Sequence, residues 1–378
     1  MKNPKILDLY SDYLIASFDK TTATGLSRML DEALSHDQIS RFLGQGLFTQ
    51  KDYWKCIKPL VRKVEDEQGV IKIDDTLEEK PHSTENDIIC WHWDHSKKPK
   101  ARHVKGINIL NFLYQSPLGT EQTISIPVAF ELVKKTEPYF DKRIGKVKKR
   151  SPTSKNTMVR ERLRILHHYN KVKFRYVLWD SWFSSNDNFE FVHYELKKHF
   201  VGAIKDNRTV ALSREDKAAG KFKKVRELDL QEAQAICVWI KGLDLTVLLT
   251  KQVFKNKDGS TSELYIVTND LELDGTGICT TYQDRWGVEL MHKSLKQNVG
   301  LEKSPTKYEV TQANHVFAAM IAWTKLELLS LKEQTNHFAL KSRLYIKALR
   351  AAFDELQRLK QFLPKLDQDH TQTIPLLE

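Results

Sequence analysis

Cysteine and long apolar runs are both scarce in this sequence. Its four cysteines are far apart and form no CxxC pair: Cys56, Cys90, Cys237 and Cys279. This spacing disfavours a disulfide framework or a zinc ribbon and fits a reducing cytoplasm. The most apolar stretch, residues 316–331, is interrupted by Lys325 and Glu327, so no segment reaches the ~20 apolar residues of a membrane-spanning helix. We therefore expect a cytoplasmic protein with no membrane partner.

Several motifs of common enzyme classes are also absent. The chain has no GxSxG, no Walker A sequence and no GxGxxG, so hydrolase-triad, NTPase and dinucleotide-binding functions lack support. Its start, MKNPKILDLYSDYL, lacks the charged-then-apolar order of a secretion signal. No internal repeat or low-complexity tract is present.

Basic residues exceed acidic ones, and the excess is concentrated in one segment. The 378-residue chain has 60 Lys and Arg against 49 Asp and Glu, a net charge of +11. Residues 134–175 alone contain fifteen Lys or Arg and three acids, a local charge of +12. Taken alone, this cluster favours an ordinary solvated surface. It also suits a polyanionic partner, because basic clusters gain affinity by releasing counterions from phosphates.

The first 68 residues have helical patterns. Residues 22–43 predict two short helices, the second with Ser35 as N-cap and Gln38 at capping-box spacing. Three residues form the apolar face of this second helix: Ile39, Phe42 and Leu43. Arg41 then points outward, as it would in a helix-turn-helix whose second helix enters a DNA major groove. A small helical bundle would give a similar pattern.

Strand patterns dominate the middle of the chain. Runs rich in β-branched and aromatic residues predict six strands, at residues 70–74, 88–93, 106–114, 124–130, 174–179 and 199–204. Residues 205–277 differ, since polar turns separate further strand-like runs and NKDGS between two of them predicts a hairpin turn. Helical patterns follow at residues 281–299, 314–331 and 339–363.

Two acids lie where predicted strands end. Asp75, preceded by Asp74, follows the run VIKI, and Asp180 follows YVLW. An acid at a strand end is exposed at a sheet edge, where α/β folds commonly bind ligands. A turn residue or a helix cap would explain either position alone.

A third acid, Glu289, lies in the helical segment TYQDRWGVELMHKSLK. At 3.6 residues per turn it falls within an arc of roughly 60° that it shares with Tyr282, Arg285 and Lys296. Lys293 flanks this arc, and we expect it to bind DNA as well. A solvated helix face is the usual explanation of such a stripe, but one acid among cations also suits a metal ligand beside phosphate contacts.

Phosphodiester cleavage explains why three distant acids would converge. In-line displacement needs both the attacking and the leaving oxygen stabilised, and two Mg²⁺ ions ~3.5–4 Å apart do this through oxygen ligands. The ions would also relieve the repulsion among the carboxylates. We therefore expect Asp75, Asp180 and Glu289 to be catalytic metal ligands for Mg²⁺ or Mn²⁺, with Arg285 and Lys296 gripping phosphates.

The helix residues also carry a resemblance to a known family. Four of them have the spacing Y-x2-R-x3-E-x6-K: Tyr282, Arg285, Glu289 and Lys296. This spacing resembles the motif of DDE transposases of the bacterial insertion-sequence-four kind, which cut and paste DNA through hairpins. Asp75 in IDDT and Asp180 in LWDSWFSS resemble the first two catalytic acids of that family. The resemblance covers residues 70–335.

This resemblance implies an α/β fold, an RNase H-like mixed sheet flanked by helices and interrupted by a β-rich insertion. Five regions are expected. They are a helical DNA-binding region (residues 1–68), the first part of the catalytic core (69–204), the insertion (205–277), the second part of the core with the glutamate helix (278–335) and a helical C-terminal region (336–378).

The resemblance also implies an activity and its partners. The reaction would be hydrolytic nicking, hairpin formation, hairpin opening and strand transfer. The partners would be double-stranded DNA, as transposon inverted-repeat ends and target DNA, and a second copy of the chain in an active homodimer. Tyr282, Arg285 and Lys296 would contact DNA phosphates, and the protein would be nucleoid-associated when bound.

Two details stay open at the level of sequence. The base-stacking Trp of the family lies close to where this chain has Leu264 and Tyr265, so Tyr265 or Trp239 could substitute for it. Adjacent residues of a strand point to opposite faces, so Asp74 is an alternative to Asp75 as the metal ligand.

Other functions remain compatible with the pattern. A DNA-binding regulator, or an inactive transposase relic that binds DNA without cutting, would use the helix-turn-helix candidate and the basic segment equally well. An RNase H-like nuclease of other purpose is a third possibility. Retention of all three acids and of the helix motif favours the active transposase.

Overall fold

The computed structural model describes residues 3–94, 102–119, 122–142, 145–256 and 258–361. The helices in chain order are α1 (Pro4–Ala16), α2 (Ala23–Met29), α3 (His36–Gly44), α4 (Gln50–Val64), α5 (Lys155–Arg164), α6 (Asn186–Glu190), α7 (Arg214–Ala218), α8 (Gly275–Gln283), α9 (Trp286–Gln297), α10 (Glu309–Lys332) and α11 (His337–Lys360). The strands are β1 (Val70–Glu79), β2 (Ile89–Asp94), β3 (Arg102–Leu118), β4 (Gln122–Leu132), β5 (Glu137–Asp141), β6 (Lys146–Arg150), β7 (Tyr176–Trp179), β8 (His199–Ile204), β9 (Thr209–Ala211), β10 (Lys223–Lys224), β11 (Ile236–Ile240), β12 (Val247–Lys255) and β13 (Thr261–Thr268).

The N-terminal helices follow the sequence pattern closely. The Gln38 backbone N–H donates to the Ser35 hydroxyl at 3.3 Å, and the Ser35 N–H donates to the Gln38 side chain at 2.9 Å. The predicted capping box at the start of α3 is therefore confirmed. The three predicted apolar residues of α3 are buried, and Arg41 is exposed.

The centre of the molecule is one mixed sheet. Its central strands lie in the order β4-β3-β1-β7-β8, with β3 antiparallel to β1 and β4, and β7 parallel to β1 and β8. Every strand predicted between residues 70 and 204 is present, although β1 and β3 are longer than their apolar runs. The predicted RNase H-like mixed sheet flanked by helices is confirmed.

The β-rich segment after β8 continues this sheet. β13 pairs antiparallel with β8, from Tyr265 opposite Ile204 to Thr268 opposite Val201. The order β10-β9-β11-β12-β13 then extends the same sheet outward. The predicted hairpin turn joins β12 to β13, and the Asn256 N–H donates to the Ser260 carbonyl at 2.8 Å.

The sequence pattern does not predict the hairpin of β5 and β6. These strands pair with each other and, in the part of the chain that the structure describes, form a small sheet of their own. The strand β6 reads KVKKR and has no buried residue, so it lacks the apolar alternation that marks a half-buried strand. The hairpin lies inside the basic segment of residues 134–175.

Different helices cover the two faces of the central sheet. On one face, Leu178 of β7 belongs to an apolar cluster with Ile278 and Tyr282 of α8, and α9 follows directly. We call this the α8–α9 face. On the opposite face, Trp179 of β7 stacks on Phe200 with ring centroids 6.0 Å apart, and both pack against α6 beside α5. We call this the α5–α6 face.

The single helix predicted at residues 281–299 is wrong. Two helices, α8 and α9, meet at Asp284 and Arg285, where the Arg285 N–H donates to the Tyr282 carbonyl at 3.0 Å. A bond over three residues tightens the turn and changes the helix direction. The sequence could not show this junction, because the residue pattern is helical on both sides of it.

The C-terminal helices are present as predicted, within the described residues. Most of α10 is buried, whereas α11 is buried only near its start, at His337, Leu340 and Lys341. The predicted end of the last helix at residue 363, and the rest of the C-terminal region to residue 378, lie outside the described residues. None of the helices described here combines the length and apolarity that crossing a bilayer requires.

Candidate active site

Two neighbouring parallel strands place acids side by side. Ile73 of β1 is paired with Trp179 of β7, so the next residues, Asp74 and Asp180, are adjacent where the pairing ends. The Trp182 backbone N–H donates to Asp180 Oδ1 at 2.9 Å, which holds this carboxylate at the start of a turn. The sequence prediction that acids lie at strand ends therefore holds for Asp180, whereas Asp74 and Asp75 lie in the middle of the longer β1.

The helix α9 places Glu289 close to these strands. A Cβ atom added at Gly287 would lie 2.7 Å from Lys72 Nζ, so α9 lies directly against the Lys72 side chain of β1 at this residue. Arg285 Nη2 donates to Glu289 Oε1 at 2.6 Å, and Arg285 Nη1 lies 3.6 Å from Asp74 Oδ2. One guanidinium therefore bridges the strand acid and the helix acid.

Asp75 has different partners from Asp74. Its Oδ2 accepts hydrogen bonds from Asn108 Nδ2 at 2.6 Å and from Lys155 Nζ at 2.7 Å. Asn108 is on β3, and Lys155 is the first residue of α5. The carboxylate of Asp75 is thus held by the side of the sheet that α5 covers.

The electrostatics of the cluster favour binding of a cation. Burial, together with the neighbouring carboxylates of Asp180 and Asp75 and against the opposing effect of Arg285, raises the pKa of Asp74 to about 7. Burial also raises the pKa of Asp180, with Asp75 contributing. Several half-buried carboxylates therefore share a region in which negative charge is incompletely compensated.

Most of the residues predicted to contact phosphates are buried or interact with other groups of the protein. Tyr282 is buried, which raises its pKa to about 12. Lys296 Nζ donates to the Leu77 carbonyl at 2.7 Å and lies 3.2 Å from Glu302 Oε1. Lys293 is exposed, with its Nζ 5.1 Å from the Phe338 ring centroid.

Two further predicted residues lie apart from the acids. Arg41 is on α3, in the N-terminal helical region, and not on the strands or helices that carry the carboxylates. Tyr265 is 3% exposed and donates to Glu263 at 2.6 Å, so it has no free face for a base in this conformation. Trp239 on β11 is half-buried.

Sequence reasoning missed two tryptophans near the site. Trp182 and Trp286 are each 54% exposed. Trp182 lies two residues after Asp180 and has Lys205 Nζ 4.6 Å from its ring centroid. Trp286 directly follows Arg285 and begins α9. Proximity in sequence to a predicted site residue was the available signal for both.

The acids are neighbours, but in the part of the chain that the structure describes their oxygens do not converge on one position for a metal ion. Among the described residues, no three His, Cys, Asp or Glu side chains are close enough to hold one metal ion. Arg285 lies between Asp74 and Glu289, and its positive charge allows these acids to be near each other. The Arg285 side chain therefore occupies the space between these two acids.

The donor atoms nevertheless fit a hard divalent cation. Carboxylate and amide oxygens are the ligands that Mg²⁺ and Mn²⁺ prefer. Beside the acids, Asn108 and Asn111 of β3 each have a buried side-chain oxygen without a hydrogen-bond partner. Asn111 is paired directly opposite Asp74, so its free oxygen lies among the same group of donors.

Comparison with known families identifies the class of protein. A family model described as DDE superfamily endonuclease matches residues 4–225, more than half of the chain. The chain belongs to the DDE superfamily of endonucleases. A second family model, described as transposase DDE domain, matches residues 151–325. No curated protein matches the chain.

The coarse functional prediction is therefore confirmed. This DDE enzyme is a transposase-type nuclease whose substrate is DNA. The first matched range includes Asp74, Asp75 and Asp180, and the second includes Asp180 and Glu289. DDE enzymes generally use divalent metal ions, which agrees with the oxygen donors of this site.

Proposed function

We propose that this DDE enzyme is an active transposase, which cuts transposon ends and joins them to target DNA with two Mg²⁺ or Mn²⁺ ions. The metal ligands would be Asp180, Glu289 and one of the two β1 acids, Asp74 or Asp75. One observation carries the proposal: Arg285 bridges Asp74 and Glu289, and Asp74 lies beside Asp180. Acids on three separate elements are thereby gathered around a single positive charge.

The chain's own residues have distinct tasks in this proposal. Divalent ions bound by the carboxylates would stabilise charge on the attacking and leaving oxygens of an in-line displacement. Arg285, released from the acids, would donate two parallel hydrogen bonds to a DNA phosphate. Lys296 lies two turns beyond Glu289 on α9. Its ammonium group would leave Glu302 and contact a second phosphate.

The finer reaction rests on the helix motif. We propose a hairpin intermediate and strand transfer because the spacing of Tyr282, Arg285, Glu289 and Lys296 matches hairpin-forming transposases. The exposed rings of Trp182 and Trp286 are better placed than Tyr265 to hold an extruded base, since stacking requires an accessible face.

The five predicted regions and the homodimer are part of the same proposal. The capped helix α3, with Arg41 exposed, supports an N-terminal DNA-binding region. The helix α11 supports a second copy as partner, because its apolar residues Ile346, Leu349 and Phe353 are exposed. Leu349→Ser should shift the oligomer towards monomer in light scattering, and an unchanged mass would remove α11 from the dimer interface.

DNA cleavage assays test the proposed function directly. With the element's inverted-repeat ends and Mg²⁺ or Mn²⁺, the wild-type chain should nick and then release the ends. Asp180→Asn and Glu289→Gln should each lower cutting at least 1000-fold, because a lost ligand removes transition-state stabilisation, while gel-shift binding survives.

A matched control separates charge loss from ligand loss. Asp187→Asn removes an exposed acid seven residues after Asp180 and should leave cutting unchanged. If Asp180→Asn or Glu289→Gln cuts as well as this control, that residue does not belong to the site. DNA binding without cutting under every metal condition would instead support a DNA-binding regulator or an inactive relic. This is the second candidate function, because Arg285 contacts Asp74 and Glu289 where metal ions would bind.

A further inference from the structure

The adjacent aspartates of β1 are not equivalent. We infer that Asp74, and not Asp75, is the β1 ligand of the metal ions, and that Asp75 is a positioning residue for α5. The inference rests on the proposed function and deepens it. It also replaces the assignment of Asp75 that the IDDT sequence favours.

Strand register fixes which face each acid occupies. β1 pairs with β3 without interruption from Val70 to Glu79, so its side chains alternate regularly along the whole strand. Lys72 is paired with Leu178 of β7, which lies on the α8–α9 face. Asp74 is two residues beyond Lys72, so its side chain lies on the same face.

The same argument places Asp180 with Asp74. Asp180 is two residues beyond Leu178 and extends from the end of β7 towards the α8–α9 face. Ile73 and Trp179 are the last paired residues of the two strands, and Trp179 lies on the opposite, α5–α6 face. Asp75 is two residues beyond Ile73, so its side chain leaves β1 on the face of Trp179, from where its charge still acts on Asp180.

Contacts from α9 agree with this assignment. Arg285 reaches both Asp74 and Glu289, at 3.6 Å and 2.6 Å. One turn beyond Glu289, His292 Nε2 accepts from Asn111 Nδ2 at 3.0 Å. Asn111 is the direct partner of Asp74 across β1 and β3, so the glutamate helix lies over the Asp74 side of the strand.

Asp75 has a different and already satisfied environment. Its Oδ2 accepts from both Asn108 and Lys155, and Lys155 starts α5. On the same face, Glu131 of β4 forms an ion pair with Arg162 of α5. Asp75 thus helps to fix α5 on the sheet, and the charge of Lys155 balances its carboxylate without a metal ion.

Metal affinity distinguishes the two acids without reference to activity. Mn²⁺ alone is titrated into the full-length protein and its variants, and free Mn²⁺ is followed by electron paramagnetic resonance. Asp74→Asn should weaken binding at least tenfold, as should Asp180→Asn. Asp75→Asn should change Mn²⁺ affinity much less than either of these substitutions, because its carboxylate is balanced by Lys155.

Thermal unfolding separates the positioning role from folding defects. Asp75→Asn should lower the Tm, and Lys155→Met should lower it similarly, because both remove the same contact. Neither should shift the Mn²⁺ titration. If Asp74→Asn fails to fold, Asp74→Ser and Asp74→Glu are titrated in its place, with weaker binding expected for each.

These outcomes distinguish a failure of the Asp74 assignment from a failure of the proposed function. If Asp75→Asn weakens Mn²⁺ binding as much as or more than Asp74→Asn, while Asp180→Asn also weakens it, the assignment to Asp74 is wrong and the metal site stands. If Asp180→Asn and Glu289→Gln leave Mn²⁺ binding unchanged, the proposed site itself fails.

Discussion

At the scale of single residues, Arg285 determines the charge balance of the site. It is buried, and its guanidinium faces Asp74 and Glu289. Removing one partner from a buried ion pair leaves uncompensated charge, which is costly. The acids would then repel each other until another cation arrived.

Arg285→Met should therefore destabilise the metal-free protein by on the order of 3 kcal/mol at pH 8. Mg²⁺ should restore more stability to this variant than it adds to the wild type, because the ions replace the missing charge. Urea unfolding with EDTA and with Mg²⁺ measures both effects. Equal stability of the two metal-free proteins would show that Arg285 does not hold the acids together.

His315 provides a second residue-scale prediction, remote from the site. Its Nε2–H donates to the Gly300 and Leu301 carbonyls at 3.1 Å, and the Tyr10 hydroxyl donates to Nδ1 at 2.9 Å. Burial lowers its pKa to about 4. The unfolded chain, with an ordinary value of about 6.5, then binds more protons than the folded one between pH 6.5 and 4.

Stability should consequently fall as pH falls through this window, by up to about 3 kcal/mol from His315 alone. In His315→Asn this part of the pH dependence should disappear, although stability at pH 7.5 also decreases. Urea unfolding at pH 7.5 and 4.5 gives the difference in slope between the two proteins. Parallel profiles would mean that His315 is not the group responsible.

Sequence predicted some site residues better than others. Asp180 and Glu289 could be proposed as ligands because a strand end and a helical spacing are both local patterns. The choice between Asp74 and Asp75 could not be made locally, since it depends on which helix covers which face of β1. Lys155 and Asn108 were missed for the same reason, because they meet Asp75 only through pairing and packing.

At the scale of elements, the pairing of β1, β2 and β3 depends on one glycine. Gly106 of β3 is opposite Glu79 of β1 and Cys90 of β2. A Cβ atom there would lie 2.2 Å from the Glu78 backbone carbonyl oxygen. A backbone atom held in a strand cannot move aside as a flexible side chain can.

Gly106→Ala should thus destabilise the protein by about 3 kcal/mol or more, a value at the upper end for overpacking. Gly44→Ala is the matched control, because its nearest neighbour is the Thr311 side-chain oxygen at 3.9 Å. This change at the end of α3 should be neutral or slightly stabilising. Thermal unfolding compares them, and equal Tm values would show that β3 can shift to accept a side chain.

Elements with apolar periodicity were predictable, and elements without it were not. The strands β1, β3, β4, β7 and β8 have buried, β-branched or aromatic runs. The hairpin β5–β6 is stabilised by its own cross-strand pairs, such as Lys148 with Asp141 at 2.9 Å. On the two sides of the α8–α9 junction, α8 packs on β8, β12 and β13 whereas α9 packs on β1, a difference that no local pattern records.

At the scale of the whole molecule, charge is distributed unevenly within the basic segment. Several of its cations are ion-paired, including Arg150 with Glu137 at 3.3 Å and Arg164 with Glu195 at 2.5 Å. Lys142 and Lys146 near the tip of the β5–β6 hairpin are exposed. A two-stranded ribbon with basic side chains has dimensions that a DNA groove accommodates.

Replacing Lys142 and Lys146 with Gln should therefore weaken DNA binding and reduce its salt dependence. Each lost phosphate contact lowers the slope of log K against log salt by about 0.9, so the pair should lower it by about 2. Lys347→Gln with Lys360→Gln on α11 is a control with the same change in charge. Fluorescence anisotropy from 50 to 300 mM salt gives both slopes, and identical slopes would exclude the hairpin from DNA contact.

The overall architecture was predictable because it follows from the order of elements and from the family resemblance. What sequence could not show is that residues 205–277 extend the central sheet. Strand-like runs reveal pairing potential but not the partner, and here β13 pairs with β8 of the core.

This continuity limits how the enzyme can change shape. An inserted module joined by flexible linkers would swing like a lid, on the microsecond-to-millisecond scale of domain motion. Here an unbroken ladder of backbone hydrogen bonds runs from β10 to β2 and stiffens the platform. Only side chains and the short α8–α9 junction can then adjust, so binding of metal ions should involve changes of side-chain rotamer and not closure of a domain.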